Sequence, residues 1–440
     1  MNRRRFIEAG LCAGAAASWA FSARSAAPTL SAKPNPEERK LLIVLFGGGT
    51  RSRDTIDDPA HRHIPRLWNE MIPRATLFTN MRVEGKVVHP NSTGSILTGH
   101  WEWDDIDWSR PVAHPTVFEI YRKARCAPDT AAWAFVYASI LSQAGLSRGD
   151  GYGQEFAANV VEPPTIPRST AEEMDRLMRA ASARGSTEAG LEAARQCAAL
   201  ARSTSRIAEG GLRSDEARRF VRRYFEAWRQ GAAADTDRNT RGETDQDTNA
   251  DADEAMGADS ASAEGAGSIR TTSHDAFLAE CALACMKRFA PGVLCVAFGE
   301  IDCAHYGSWS RYVEAIRRTD ELTWRLWRAA ETLDAYRGRT LMLILPDHGR
   351  ELEESGGQGF IHHSDFYTGQ GADEGCRRVW MLELAPGLQT AAAGPAADKN
   401  GRSPTGRRID RPIPITSVAA TGLQFLGLSP SPGAAPAAGA

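Results

Sequence analysis

Short runs of consecutive apolar residues recur along the chain, with helical patterns between them. The first run, at residues 40–46, leads into three glycines, which is typical of a strand buried on both faces of a sheet. Comparable runs lie at 132–138, 293–298, 340–345 and 379–384, and helical spacing of apolar residues lies at 64–72, 116–124, 274–289 and 310–336. This alternation predicts an α/β fold with a mostly parallel central sheet and helices on both faces.

The middle and the ends of the chain differ from these core segments in composition, so the α/β domain is predicted to be interrupted. In chain order, the predicted segments are an export signal peptide (1–27), the first part of the α/β domain (28–168), a helical insertion (169–230), a low-complexity acidic linker (231–270), the second part of the α/β domain (271–428) and a disordered Ala/Pro/Gly tail (429–440).

The first residues predict where the protein acts. Arg3, Arg4 and Arg5 precede a small-residue apolar run and an alanine-rich site near 25–27, which is the order of an export signal. The paired arginines indicate the twin-arginine route, so that export machinery is a predicted partner and the mature protein is predicted to be periplasmic or otherwise exported. The alternative is a basic N-terminal helix that is never cleaved.

Composition narrows the class of protein. Of the 440 residues, 42% are hydrophobic and 24% are charged, as in an ordinary globular protein, and the formal net charge is −3. That balance gives no electrostatic case for nucleic acid or an anionic membrane as a partner. No apolar run reaches the roughly 20 residues of a membrane-spanning helix. The eight cysteines contain no CxxC pair and are predicted to be mostly buried, with room for one disulfide of unassigned pairing.

Acidic and histidine residues cluster directly after two predicted strands and in a loop shortly beyond. Asp302 and His305 follow the run at 293–298, and Asp347 and His348 follow the run at 340–345. Adjacent histidines come a short loop later, at His362 and His363. Imidazole nitrogens and carboxylate oxygens at neighbouring strand ends predict a divalent metal site, which suits zinc best and also manganese or iron.

In their order along the chain, these motifs resemble the metal-ligand set of the alkaline phosphatase/sulfatase superfamily. The likeness extends to residues 42–49, 91–99, 312–327 and 413–428, and it skips the middle of the chain. It implies that Asp302, His305 and one of His362 or His363 hold a first metal, and that Asp347 and His348 hold a second. It also implies a metal-dependent hydrolase with one or two ions, acting on small anionic esters of phosphate, phosphonate or sulfate.

The sequence departs from that superfamily at two positions. No carboxylate follows the first strand before Asp54, and the usual nucleophile position is occupied by His89, with Ser92 and Thr93 as the nearest hydroxyl groups. Three interpretations stay open: a single metal that activates water, His89 as nucleophile or metal ligand, and a catalytically silent metal- or ligand-binding protein on the same fold. A shifted nucleophile at Ser92 or Thr93 is a further alternative.

Two arginines and a tryptophan-rich segment complete the candidate residues. Arg51 lies just beyond the glycine run after the first strand, and Arg350 lies close to His348; both are candidates for binding the anionic part of a substrate. Trp101, Trp103 and Trp108 either form an exposed platform or pack a loop against the sheet.

Overall fold

The apolar runs form the strands of one central sheet. The computed structural model describes residues 38–241, 273–352, 359–363, 373–386 and 406–439. The predicted export signal and residues 242–270 of the predicted linker lie outside the described residues. Within them the strands are β1 (Lys40–Leu45), β2 (Thr76–Arg82), β3 (Ala132–Val136), β4 (Asn159–Val161), β5 (Val293–Ala297), β6 (Thr340–Leu345), β7 (Arg378–Leu384), β8 (Arg408–Ile409) and β9 (Ile413–Pro414).

The sheet is mostly parallel, as predicted from the sequence. Its strand order is β4-β3-β5-β1-β6-β7-β2-β8, with β9 also paired to β2. Strands β4, β3, β5, β1 and β6 are parallel, and β7 runs antiparallel to both β6 and β2. Strands β5, β1 and β6 are neighbours at the centre, so the segments that follow them leave the sheet side by side at its carboxyl edge.

Helices cover both faces of this sheet. In the described residues they are α1 (His89–Thr98), α2 (Val117–Arg125), α3 (Arg168–Arg184), α4 (Thr187–Thr204), α5 (Asp215–Arg241), α6 (His274–Phe289), α7 (Trp309–Thr332), α8 (Glu374–Arg377) and α9 (Ser417–Phe425). Alternate residues of β1 face opposite cores: Leu42 and Val44 pack with α5, α6 and α7, whereas Leu41 and Ile43 pack with α1, α2 and α9. The predicted fold class is therefore confirmed.

Some details differ from the sequence expectation. The tail after Leu428 is ordered: Ala438 is buried and its N–H donates to Thr421 Oγ1 at 2.9 Å. The tail is rich in alanine and glycine, so it can lie close against α1 and α9 without bulky side chains in the way. Helix α5 continues to Arg241, beyond the predicted linker start at 231. The segment 64–72 contains a wide helical turn at Leu67–Met71 rather than a regular helix.

Two further observations concern cysteines and membranes. Six described cysteines are free thiols, and all of them except Cys126 are buried, as predicted for small apolar residues. Among the described helices, none combines the length and the apolar character that crossing a bilayer requires.

Candidate metal centre

The predicted metal motifs converge at the carboxyl edge of the central strands. The loop after β5 carries Asp302 and His305, and the loop after β6 carries Asp347 and His348. His89 is the first residue of α1, and His363 follows a short turn at Gly359–Ile361. The spatial prediction made from the sequence, that these groups share one rim of a parallel sheet, agrees with this arrangement.

Two overlapping groups of potential ligand atoms occupy this rim. Nitrogens of His89, His348 and His363 lie within 4.8 Å of one another, and so do atoms of Asp302, His305 and His363. His363 belongs to both groups. His89, which the sequence offered as a nucleophile or a metal ligand, therefore lies in direct contact with the predicted ligands.

His89 lies between the two predicted acidic ligands. Its Nδ1 is 3.0 Å from Asp347 Oδ2 and 3.1 Å from His348 Nε2, and its Nε2 is 3.1 Å from Asp302 Oδ2. Burial alone would lower the pKa of His89, but the charges of Asp302 and Asp347 outweigh it and raise that pKa to about 10. Without a cation, the protonated ring thus balances the two carboxylates.

The other two rings at the centre are held neutral. Burial lowers the pKa of His348 to about 4, and burial together with the neighbouring histidines holds the pKa of His363 well below its usual range. Burial would raise the pKa of Asp302, yet His89, His305 and Arg350 keep it well below the usual value. Neutral imidazoles beside ionised carboxylates are the protonation states in which these side chains bind metal ions.

Residues around the ligands fix their positions. Arg350 Nη2 donates to Asp302 Oδ1 at 2.7 Å. Asp275, buried at the start of α6, accepts hydrogen bonds from the N–H groups of Gly299 at 2.9 Å and Glu300 at 3.0 Å, and so holds the loop that carries Asp302. Burial and the nearby Glu300 raise the pKa of Asp275 to about 7.

The described residues fit a bound divalent cation. His89 Nε2 and Asp347 Oδ1 are both buried and have no hydrogen-bond partner. Such atoms cost free energy unless a ligand satisfies them, and they lie among nitrogen and carboxylate donors suited to zinc. The combination is more consistent with a metal site than with a set of ordinary polar contacts.

Other predicted residues lie differently from the sequence expectation. His362 faces away from the cluster, with Nδ1 2.7 Å from Glu351 Oε1, so that of the two adjacent histidines it is His363 that enters the site. Neighbouring residues of a turn point in different directions, which the sequence did not resolve. Arg51, predicted to bind anions, is buried and paired with Asp54 at 2.6 Å, and its Nη1 donates to Glu351 O.

The hydroxyl and tryptophan candidates are part of the surrounding packing. Ser92 and Thr93 are buried in α1, and in the described chain neither hydroxyl hydrogen-bonds to a cluster residue. Trp103 is buried and donates to Arg110 O, and Trp108 donates to Asn91 Oδ1. These contacts fit the packing alternative better than an exposed platform.

The fold and the site define an α/β protein with a candidate metal centre at its strand ends, and solved structures of this general kind match it. A sulfatase, PsFucS1 from Pseudoalteromonas sp., matches at 12% identity and a TM-score of 0.45, over 89% of this chain and 68% of that one. The phosphonate monoester hydrolase of Agrobacterium radiobacter matches at 14% and 0.45, over 89% and 74%. The zinc-bound C-terminal periplasmic domain of EcEptC from Escherichia coli matches at 11% and 0.43, over 91% and 85%.

At these identities and TM-scores, the likeness concerns the fold alone. No protein-family model matches this sequence, and no curated protein is similar enough to match it. Likenesses with TM-scores below 0.5 carry no information on the activity of this chain. Its chemistry has to follow from its own side chains.

Proposed function

We propose that this chain is a metal-dependent hydrolase of phosphate, phosphonate or sulfate esters that works in the cell envelope. The observation that carries the proposal is the convergence of Asp302, His305, Asp347, His348 and His363 on one rim of the sheet. Unpartnered buried donor atoms within that cluster support a cation there. Zinc fits the donor set best, with manganese or iron as alternatives.

The side chains divide into ligands and supporting groups. When bound, a divalent cation supplies Lewis-acid chemistry, neutralising charge on the ester and lowering the pKa of water. Asp347, His348 and His363 are the candidate ligands. Arg350 orients Asp302 by donating a hydrogen bond to its Oδ1. His305, with its side chain 38% exposed, lies at the rim, with Nδ1 3.1 Å from Ile361 O and Nε2 3.2 Å from Asp302 Oδ1, and belongs to the second group of potential ligands.

Water is the nucleophile that the geometry favours. Both nitrogens of His89 face carboxylate oxygens, at 3.0 and 3.1 Å, so neither nitrogen is directed towards open space where an ester would lie. The hydroxyl of Ser92 is buried and has no hydrogen-bond partner. Attack by water on phosphorus or sulfur requires neither side chain to form a covalent intermediate.

The test combines metal analysis with an ester screen on the purified protein. Aryl phosphate mono- and diesters, aryl phosphonates and aryl sulfates are assayed with wild type, Asp347→Ala and the control Asp334→Ala, whose side chain is exposed on the surface. We expect about one zinc per chain and turnover of one ester class, both lost in Asp347→Ala and kept in Asp334→Ala. Turnover that persists in Asp347→Ala or after metal removal would contradict the proposal.

A catalytically silent metal-binding protein is the second candidate. It is favoured by the buried hydroxyl of Ser92, which makes no hydrogen bond to the cluster. Stoichiometric metal that is lost in Asp347→Ala, with no turnover on any ester class, would identify this alternative.

The proposed location depends on the N-terminal segment. Replacing both Arg4 and Arg5 with lysine should keep the protein in the cytoplasm of a host that has twin-arginine export, because that route depends on paired arginines. Cell fractionation measures the result, and unchanged export of the variant would exclude this route.

A further inference from the structure

The imidazole ring of His89 fills the space that a side chain at Gly48 would otherwise occupy. Gly47 and Gly49 have φ angles of +98° and +76°, which favour glycine for backbone reasons. Gly48 has no such φ angle. A Cβ atom at Gly48 would instead overlap the His89 ring at Cε1 and Nδ1, and would lie 2.8 Å from Asp347 Oδ1. The missing side chain at position 48 therefore makes room for the imidazole of His89.

Each histidine at the centre has one nitrogen facing an oxygen and the other directed inward, although the geometry at His89 Nε2 makes no hydrogen bond. His348 Nδ1 lies 2.9 Å from Gly349 O, and His363 Nδ1 lies 3.0 Å from Val87 O. His89 Nε2 faces Asp302 Oδ2 at 3.1 Å. Metal-binding histidines are commonly oriented in this way, by a carbonyl or carboxylate oxygen on the nitrogen that does not bind.

The inward nitrogens have the spacing of ligands on one ion. His89 Nδ1 is 3.1 Å from His348 Nε2 and 3.0 Å from Asp347 Oδ2. Tetrahedral zinc with bonds of about 2.0–2.1 Å places its ligand atoms roughly 3.3 Å apart. His363 completes the set of three imidazoles within 4.8 Å.

We infer that His89 is a metal ligand seated in the space left by Gly48, forming a three-histidine site with His348 and His363 to which Asp347 adds a carboxylate. Asp302 is then a positioning residue that orients His89, with Arg350 behind it. The inference rests on the metal-binding part of the proposed function and not on turnover. In such a site, the imidazole of His89 on α1 takes the place of the carboxylate that the resemblance to the superfamily would put after β1.

Metal affinity tests the inference directly. Metal-free wild type and variants are titrated with Zn²⁺ against a chromophoric chelator, and with Co²⁺ while the visible spectrum is recorded. We expect His89→Ala to weaken zinc binding by at least about 100-fold and to change the cobalt spectrum, since a ligand is lost. Asp302→Asn should weaken binding by about 10–100-fold, as expected for an orienting partner.

Substitutions at Gly48 and His89 distinguish a metal-binding histidine at position 89 from a purely structural one. Gly48→Ala should displace the ring and weaken zinc binding by about tenfold or more, whereas the control Gly210→Ala, with open space around it, should not. Gly48→Asp combined with His89→Ala should recover affinity to within about tenfold of wild type, because a carboxylate then enters the vacated space. A structural histidine predicts no such recovery. Circular dichroism confirms folding, and His89→Gln replaces His89→Ala if the latter unfolds.

Binding of zinc by the second group of potential ligands, Asp302, His305 and His363, would contradict the inference. If His89→Ala binds zinc within about threefold of wild type while His305→Ala loses it, the ion belongs to Asp302, His305 and His363, and the inference is wrong. Loss of turnover with unchanged zinc affinity in His89→Ala would also overturn it. A protein that binds zinc through His89 but hydrolyses no ester contradicts the proposed activity alone.

Discussion

At the scale of single residues, the glycine turn after β1 controls how closely the backbone approaches the site. Gly49 combines a φ of +76° with a position at which a Cβ atom would clash with Arg350 Nε and lie 2.7 Å from Arg350 Cζ. Arg350 in turn holds Asp302. A side chain at position 49 would therefore displace Arg350, and through Arg350 it would shift Asp302 at the candidate metal centre.

Gly49→Ala should reduce the free energy of unfolding by more than about 1 kcal/mol, because strained backbone and displacement of a buried arginine add together. The matched control is Gly190→Ala in α4, where a Cβ atom meets nothing and helix propensity improves, so that stability should rise by about 0.5–1 kcal/mol. Urea denaturation measures both. Equal stability of Gly49→Ala and wild type would contradict the role given to this glycine.

Asp320 makes stability depend on pH. Its carboxylate accepts hydrogen bonds from the N–H groups of Arg66 and Leu67, each at 2.8 Å, and burial raises its pKa to about 7. Because this pKa lies above the unfolded value of about 3.9, the folded state keeps its proton longer. The stability contribution is complete below pH 4 and is lost as pH rises through 7.

Wild type should therefore lose free energy of unfolding, on the order of a few kcal/mol, between pH 4 and pH 8 relative to Asp320→Asn, which cannot ionise. Urea denaturation across that range measures the difference, with Asp334→Asn as the exposed control. Parallel pH profiles for wild type and Asp320→Asn would show that Asp320 does not titrate in this window.

The order of the candidate ligand motifs was accessible from the sequence, which also named His89 but left open whether it is a nucleophile or a metal ligand. Asp302, His305, Asp347 and His348 each follow a recognisable buried strand, so their shared location could be predicted. The contact of His89 with Gly48 joins residues on different elements. Neither residue type alone indicates it. The choice of His363 over His362 depends on side-chain direction in a short turn, which residue spacing does not determine.

At the scale of elements, the sequence pattern found strands β1, β3, β5, β6 and β7 and missed the interior strand β2 and the short strands β4, β8 and β9. Strands β1, β5 and β6 are continuous apolar runs and were predicted close to their observed bounds. Strand β2 mixes polar and apolar residues, and β8 is only two residues long, so that neither produces a clear pattern. Pairing to a stable sheet, rather than local propensity, makes these segments extended.

Helix α2 is fixed at its N-terminus by a buried glutamate that also holds a distant loop. Glu119 Oε2 accepts from the N–H and Oγ1 of Thr116, both at 2.9 Å. Its Oε1 accepts from Ser147 N at 2.9 Å, Ser147 Oγ at 3.0 Å and Gly153 N at 2.8 Å. One side chain thus closes the capping box of α2 and ties the segment after β3 to it.

Glu119→Ala should therefore cost at least about 3 kcal/mol of unfolding free energy, since several buried donors lose their acceptor at once. Thr116→Ala should cost about 1 kcal/mol, the usual value for an N-cap. The comparison variant Glu172→Ala lies on the exposed surface of α3 and should change stability by less than about 0.5 kcal/mol. Chemical denaturation measures all three, and a cost for Glu119→Ala no larger than that for Glu172→Ala would refute the role.

At the scale of the whole molecule, the predicted helical insertion divides into two parts: α5 packs on the sheet, whereas the hairpin of α3 and α4 contributes no residue to either hydrophobic core. Thr165 and Arg206 exchange two backbone hydrogen bonds of 2.9 Å, so the chain leaves and returns at nearly one point. Between them, α3 and α4 pack on each other, and Met178 and Leu191 on these helices are exposed. A closed base of this kind predicts that the hairpin can be removed without opening the α/β domain.

Replacing residues 168–204 with Gly-Ser-Gly should preserve the fold and the metal stoichiometry, because a hydrogen-bonded antiparallel pair has Cα atoms only about 5.5 Å apart. The control is wild type with the same tripeptide inserted before Arg168. Thermal unfolding and metal analysis check the outcome. If only the shortened protein is insoluble or metal-free, the hairpin is an integral part of the domain.

Helix α1 makes contacts at both of its ends, and these contacts connect the last residues of the chain to the candidate metal centre. Its first residue, His89, lies among the carboxylates, and its C-terminal cap, Gly99, accepts a hydrogen bond from Ala435 N at 3.0 Å. Next to it, His100 Nε2 lies 2.9 Å from Ser431 Oγ. A helix of ten residues is a stiff rod about 15 Å long. If the tail detaches from the C-terminal end of α1, the helix can therefore tilt and move the imidazole of His89 at its N-terminal end. Removing the residues after Leu428 should therefore speed the release of an ion from the candidate metal centre, although every candidate ligand remains in the sequence.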